Sequence, residues 1–171
     1  ETTVDRDSNG IGDMIELHLL NPVHTHEVIT LSHRLEVDEI PCSYWGLEAE
    51  DVRNLLSAPN KRTLVALDQE HVAGIGSINQ GEAYQQHLAE ISVAICPQYR
   101  RQGIANQLIS ELENLAQASG AEIIKALIWT RNTASQKLFE TLNYEHRATL
   151  FAEFKSPEFG EIDDHVYYKR L

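Results

Sequence analysis

The sequence predicts a mixed α/β fold built on one sheet, and three observations predict it. First, the elements read in chain order as strand, two helices, three strands, helix, strand, helix and two strands, which is not the regular alternation of a βαβ array. Second, residues 103–120 carry a strong helical period, with Ile104, Leu108, Leu112 and Leu115 on one face. Third, "EIIKALIW" at 122–129 is nearly continuous in apolar residues, the pattern of a strand covered on both faces.

Each element has its own justification. Residues 1–13 are polar, contain glycine and lack periodicity, so they read as a tail or loop ahead of a domain spanning 14–171. "MIELHLL" (14–20) alternates enough for a first strand, and Asn21-Pro22 stops it. Val23, Val28, Leu31 and Leu35 then space a first helix, and Leu47, Val52, Leu55 and Leu56 a second over 47–58. Between them, 38–46 reads as a loop carrying two aromatics. "RTLVALD" and "HVAGIGSIN" flank Gln69-Glu70 as a hairpin, and "LAEISVAIC" (88–96) is the next strand. Gly120 suits the stop of the long helix. "TASQKLFETL" is a short helix, and "YEHRATLFAEF" and "DHVYYKRL" are closing strands.

Composition narrows the function. The 171 residues are 42% apolar and 23% charged, ordinary for a globular chain, and no apolar run is long enough to span a membrane. A net charge of −12 argues against nucleic acid as a partner, because phosphate neutralisation needs a basic face. The two cysteines, Cys42 and Cys96, are too few for a disulfide framework and have no metal spacing. They read as thiols of a reducing compartment, and with no signal peptide visible a cytoplasmic location is the expectation.

"DRDSNGIGDMIE", Asp5 to Glu16, satisfies the calcium-loop pattern in full. A calcium hand, however, needs a helix on each side. Only four residues precede Asp5, a strand follows Asp13, and Gly12 holds the usually apolar eighth position. No metal is therefore expected, and calcium on Asp5, Asp7, Asn9, Asp13 and Glu16 is the minor option beside an acidic tail. His24 and His26 stand two apart, off a common helix face, and read as a polar helix start.

The stretch "AEISVAICPQYRRQGIANQLISELE" carries chemistry. A strand ends at Pro97, two arginines follow, and Gln102-Gly103-Ile104-Ala105 opens the long helix. Free N–H groups at a helix N-terminus attract anions, and small Gly103 and Ala105 let a pyrophosphate approach the backbone. Arg100 and Arg101 would add charge at the rim; the plainer reading is a tight turn with two solvated arginines.

This order resembles the GNAT superfamily of acyl-CoA N-acyltransferases. The family's diphosphate signature [QR]-x-x-G-x-[GA] falls on Arg100, Gly103 and Ala105, and its downstream signature on Asn132, Ser135, Leu138, Phe139, Asn143 and Tyr144. The terminal "DDHVYYKRL" also looks like the last strand of the amino-acid and ribosomal-protein acetyltransferase-like branch. The resemblance implies a twisted, mostly antiparallel sheet of about seven strands flanked by about four helices, in which the strands at 88–96 and 122–129 run parallel and splay apart. It implies acetyl-CoA as cosubstrate, with its pantetheine arm on the backbone of 93–95, including Val93 and Ile95, and its pyrophosphate on the amides of 100–105. Asn132, Ser135 and Phe139 would also border the cofactor. The acceptor, a small amine or amino acid, would enter over the loop at 36–46, where Tyr44 and Trp45, near the acidic Glu36, Asp38 and Glu39, could line a pocket. The alternatives are protein N-terminal or lysine acetylation, or an acyl-CoA sensor without turnover. Relatives suggest a monomer or homodimer.

Two positions depart from the family. Asn143 replaces a glycine, a mild change because Asn tolerates the left-handed conformation. Phe139 replaces the tyrosine that often protonates the departing thiolate, which leaves Cys96, Tyr99 and Tyr44 as substitutes for the acid. Glu90, on the strand entering the phosphate turn, is the candidate base, since an ammonium must lose a proton before it attacks; the alternative is a solvated strand glutamate. Trp129 and Tyr144 read as core, the Tyr44–Trp45 pair alternatively as a hydrophobic flap, and Asn132 also as a helix cap.

Overall fold

A computed structural model of the chain describes residues 2–3, 14–38 and 42–171. The elements are β1 (Thr2–Thr3), β2 (Ile15–Leu19), α1 (Thr25–Arg34), α2 (Ala49–Ser57), β3 (Lys61–Asp68), β4 (His71–Gln80), β5 (Leu88–Ile95), α3 (Ile104–Ala118), β6 (Ile123–Trp129), α4 (Thr133–Thr141), β7 (Glu145–Ser156) and β8 (Gly160–Arg170). Together the strands form one sheet in the order β1-β2-β3-β4-β5-β6-β8-β7. Every adjacent pair is antiparallel except β5 and β6. Seven long strands and a two-residue one, with four α-helices, make the mixed α/β fold that the resemblance implied.

Period-two patterning on the strands divides the core in two. On one face Leu108, Ile109, Leu112 and Ala116 of α3 pack with Phe139 of α4 against Leu17, Leu64, Ala73, Ile91, Ile124 and Ala126. On the other face Val28, Leu31 and Val52 of α1 and α2 close over Val65, Val72 and Ile75. Burying each Val, Leu, Ile or Phe side chain among these contributes about 1.5–3 kcal/mol. A Cβ at Gly76 would stand 2.8 Å from Leu112 Cδ1 and 3.2 Å from the Ser92 carbonyl, so the glycine lets α3 approach β4 closely. Asn143 has φ +66°, the left-handed conformation expected of it where α4 turns into β7.

Four expectations need correction. Thr2–Thr3, inside the stretch read as a tail, pairs with β2 through Thr2↔Leu17 and Thr3↔Glu16. Two residues leave no periodicity to detect. The last strand starts at Gly160 and not at Asp164, because a tight turn at 157–159 extends the β7–β8 hairpin. β6 is covered on one face only: Ile124, Ala126 and Ile128 are buried, whereas Leu127 is 37% exposed. For the same reason Trp129 is not core. Helices α1 and α2 cover β3 and β4 and stop short of β6 and β8, leaving that half of the face open.

Candidate active site

The parallel pair is short. β5 and β6 are in register only from Leu88↔Ile123 to Ile91↔Ala126. Beyond that β6 stays paired with β8 as far as Trp129↔Asp164, and β5 stays paired with β4 as far as Gly74↔Ile95. Each strand follows its antiparallel neighbour, and a gap opens between them. Cys96 N–H donates to the Ala73 carbonyl at 2.9 Å, which fixes the alternation of the β4–β5 ladder. Residues 92, 94 and 96 therefore bond β4, and Val93 and Ile95 turn their backbone groups into the gap. The Ile95 carbonyl accepts from Arg100 Nε at 3.1 Å.

The gap runs into the head of α3. A single 3-10 turn, Pro97–Tyr99, leads out of β5, and Arg101 (φ +58°) and Gly103 (φ +80°) bend the chain into the helix. Gly103 is the N-cap, no side chain caps the first turn, and a Cβ there would meet nothing within 4 Å. The first amides of α3 thus stand open, with the helix dipole behind them. α4 begins differently: Asn132 Oδ1 accepts from Ser135 N–H at 3.1 Å, the cap expected from the sequence.

Around this head lies a cleft of about 1010 Å³, lined by Val93, Ile95, Arg100, Arg101, Gly103, Ile104, Ala105, Asn132, Ser135 and Phe139 among others. Of the cofactor residues read from the sequence, only Gln102 is outside the lining; its amide reaches back to the Gln98 carbonyl at 3.4 Å. Arg100 is not a free rim cation. It holds Asp38 through two hydrogen bonds, 2.8 and 2.5 Å, and that bond is what chiefly raises its pKa. Sequence reasoning missed Arg131, which lies 4.5 Å from the Phe159 ring centre at the cleft wall.

A second cavity, of about 440 Å³, adjoins the first on the open half of the other face. Cys42, Val93, Asn132, Ser135 and Phe139 line both. Its wall includes Tyr44, Glu90, Ser92, Trp129, Phe154 and Asp164. Trp129 packs on Phe154 with ring centres 5.2 Å apart. Glu90 is half exposed, and its Oε2 lies 2.9 Å from Lys125 Nζ. Tyr44 is 2% exposed; its hydroxyl donates to Ser77 Oγ and shares a hydrogen bond with Ser92 Oγ, both at 2.8 Å. Burial pushes that phenol up to about 12. Trp45 lines neither cavity and packs against the α1–α2 cluster, so the flap reading describes it.

Asp164 is a second residue that sequence reasoning missed. It is 1% exposed, and its Oδ1 has no hydrogen-bond partner. Burial above all, then Glu153 and Glu90, pushes its carboxyl up to about 6. The signal lay in the period: Ile162, Asp164 and Val166 alternate inward on β8, all three buried.

The substitutes for the acid are placed apart. Cys96 is buried in the α1–α2 cluster, and Tyr99 lines the cleft with its hydroxyl on Asp68 Oδ2 at 2.8 Å. Tyr144 is core, edge-on to Phe139, with its hydroxyl on Glu113. His24 accepts from Asn21 N–H at 3.2 Å, and no cluster of three metal-ligating side chains occurs among the described residues. Asp5, Asp7, Asn9 and Asp13 of the calcium pattern, and Glu39 of the acidic segment, lie outside the described residues. No described helix is long and apolar enough to cross a membrane.

Comparison with known proteins supports what the geometry suggests. The family model described as Acetyltransferase (GNAT) family matches residues 32–144. Acetyltransferase SG1711 of Sodalis glossinidius (strain morsitans) is 33% identical over 134 residues, covering 77% of this chain and 87% of that protein. An N-acetyltransferase from Staphylococcus aureus Mu50 has the same fold, with a TM-score of 0.81 at 18% identity over 91% of this chain and 98% of that one. So does yncA of Salmonella typhimurium, solved with its cofactor acetyl-CoA, with a TM-score of 0.78 at 17% identity over 92% and 94% of the two chains.

Proposed function

Because the chain belongs to the GNAT acetyltransferase family, we propose that it moves the acetyl group of acetyl-CoA to a primary amine by direct attack. The observation that carries this reading is the continuous path from the strand gap to the uncapped head of α3. Both ends of that path suit a coenzyme A thioester. Val93 and Ile95 offer backbone groups to an extended amide-bearing arm, as a neighbouring strand would. The open space above Gly103 and the first amides of α3 suit a pyrophosphate, with Arg101 and Arg131 adding charge at the rim. Asn132, Ser135 and Phe139 close the cleft wall where it meets the cavity.

The amine enters the second cavity. Glu90 accepts one proton from the ammonium through water, and the contact with Lys125 Nζ at 2.9 Å holds its carboxylate in place. The nitrogen then forms its bond to the thioester carbon as the carbon–sulfur bond breaks, and the nitrogen's second proton ends on the CoA sulfur. Backbone N–H on β5 polarises the carbonyl. Phe139 cannot relay that proton, so it passes from nitrogen to sulfur directly or through a water that gives one proton and takes the other. No protein nucleophile takes part, and Cys96, buried away from both cavities, is dispensable. A trapped acetyl-cysteine would contradict this.

Calorimetric titration with acetyl-CoA, followed by thiol release with a panel of small amines, amino acids and peptide N-termini, tests the proposal. Micromolar binding with turnover supports it. Binding without turnover by any acceptor favours the sensor reading that Phe139 suggests. No binding ends both.

A further inference from the structure

The second cavity is acidic in a particular way. It presents Glu90 and Asp164, and none of its described lining residues is a cation. The cation on this side, Lys125, is committed to Glu90, and Lys61 of β3 interacts with the same glutamate. Asp164 has no such partner. Its own strand neighbour Asp163 bonds the Ala152 N–H, and the groups that press on Asp164 from β7 and β5 are the carboxylates Glu153 and Glu90.

A buried carboxylate oxygen without a donor carries its desolvation cost in full. The β8 ladder does not need it: the strand pairs through its backbone on both sides, at Trp129↔Asp164 and Leu150↔Asp164. A cationic ligand at the cavity floor would offset the cost. The rings of Trp129 and Phe154 beside it would take a flat or apolar body. A ligand carboxylate, by contrast, would find two carboxylates and only neutral donors among the described lining side chains: hydroxyls, one thiol, one amide and one indole N–H, besides backbone.

We infer that Asp164 is the seat of the acceptor's ammonium group, and that the acceptor is a cationic amine with no carboxylate on its amine carbon. The inference rests on the acetyl-transfer reading and narrows it, away from free α-amino acids. Asp164 binds; Glu90, nearer solvent, takes the proton.

Phenethylamine and phenylalanine share a body and differ by one carboxylate, so they are the probes. Each is titrated by calorimetry into the full chain saturated with coenzyme A, which cannot react, for the native protein and for Asp164→Asn. The native chain should bind phenethylamine at least about ten-fold more tightly than phenylalanine, and the variant should lose at least about ten-fold for phenethylamine. Coenzyme A affinity should be unchanged, and in turnover KM should rise with kcat little altered. The variant should also melt higher at pH 7, since a neutral amide replaces an unpartnered buried charge. Phenylalanine binding as tightly as phenethylamine would overturn the inference. So would an unchanged affinity in the variant, or lost binding together with a lower melting temperature, which marks a structural role. Calorimetry does not depend on turnover. Phenethylamine bound but not acetylated would leave the seat standing and remove the transfer reading.

Discussion

The cleft at the head of α3 and the cavity beside Glu90 share five wall residues and are otherwise opposites. The cleft offers uncapped amides and arginines, and most of its wall comes from two short stretches, 93–106 and 131–139. The cavity offers carboxylates and rings, and its wall is gathered from a loop, two strands, α4 with its cap and a hairpin, between Cys42 and Asp164. An anion site made of consecutive backbone can be written in one motif. A site for a cation made of side chains is written nowhere in one place.

Substitutions that touch one pocket and spare the other test this division. The largest effect should come from Gly103→Val. Valine must hold φ near +80° and projects into open cleft, a strain of about 1–3 kcal/mol before any ligand is met. Acetyl-CoA affinity by calorimetry should fall by about 100-fold or more, and unaltered affinity would detach the cofactor from this turn.

Glu90→Gln should lower kcat by about 100-fold while acetyl-CoA affinity holds. A pH–rate profile with its acid limb unchanged would remove Glu90 from the proton path.

The stability of Asp164→Asn sharpens the comparison further. The carboxyl's value is raised on folding, from 3.8 to about 6. The native chain therefore loses stability as pH rises between those values, and the loss is complete above the higher one. Two units correspond to about 2–3 kcal/mol, so denaturant titration should find the variant more stable by about that much at pH 7 and equal at pH below 4. A variant weaker at both would show that the carboxylate supports the fold.

Arg100→Ala should do least among the substitutions. Its ion pair with Asp38 is partly solvated on both sides, and such pairs contribute about 0–1 kcal/mol. Smaller still, calcium should leave the melting temperature unchanged; a rise would revive the Asp5–Glu16 pattern.

The element order was legible because helical and strand periods do not mix on this chain. So were the splay, through the resemblance, and the head of α3, through the run Arg100 to Ala105. What was misread depended on distant neighbours. β6 looked covered on both faces because its sequence is nearly all apolar, yet cover on its second face was a matter of how far α1 and α2 reach. Arg100 looked free because its partner Asp38 lies 62 residues earlier. Asp164 was passed over inside "DDHVYYKRL", where only its inward period separates it from the neighbouring Asp163.

The shared wall carries a thermodynamic reciprocity. Cys42, Val93, Asn132, Ser135 and Phe139 cannot be shifted by an occupant on one side without altering the other side. Whatever factor a bound coenzyme adds to amine affinity, a bound amine must add to coenzyme affinity. Where that factor exceeds one, an acceptor that fits tightens the hold on the coenzyme by as much as the coenzyme tightens the hold on the acceptor. Choice of acceptor and retention of donor would then be one free energy read from two sides.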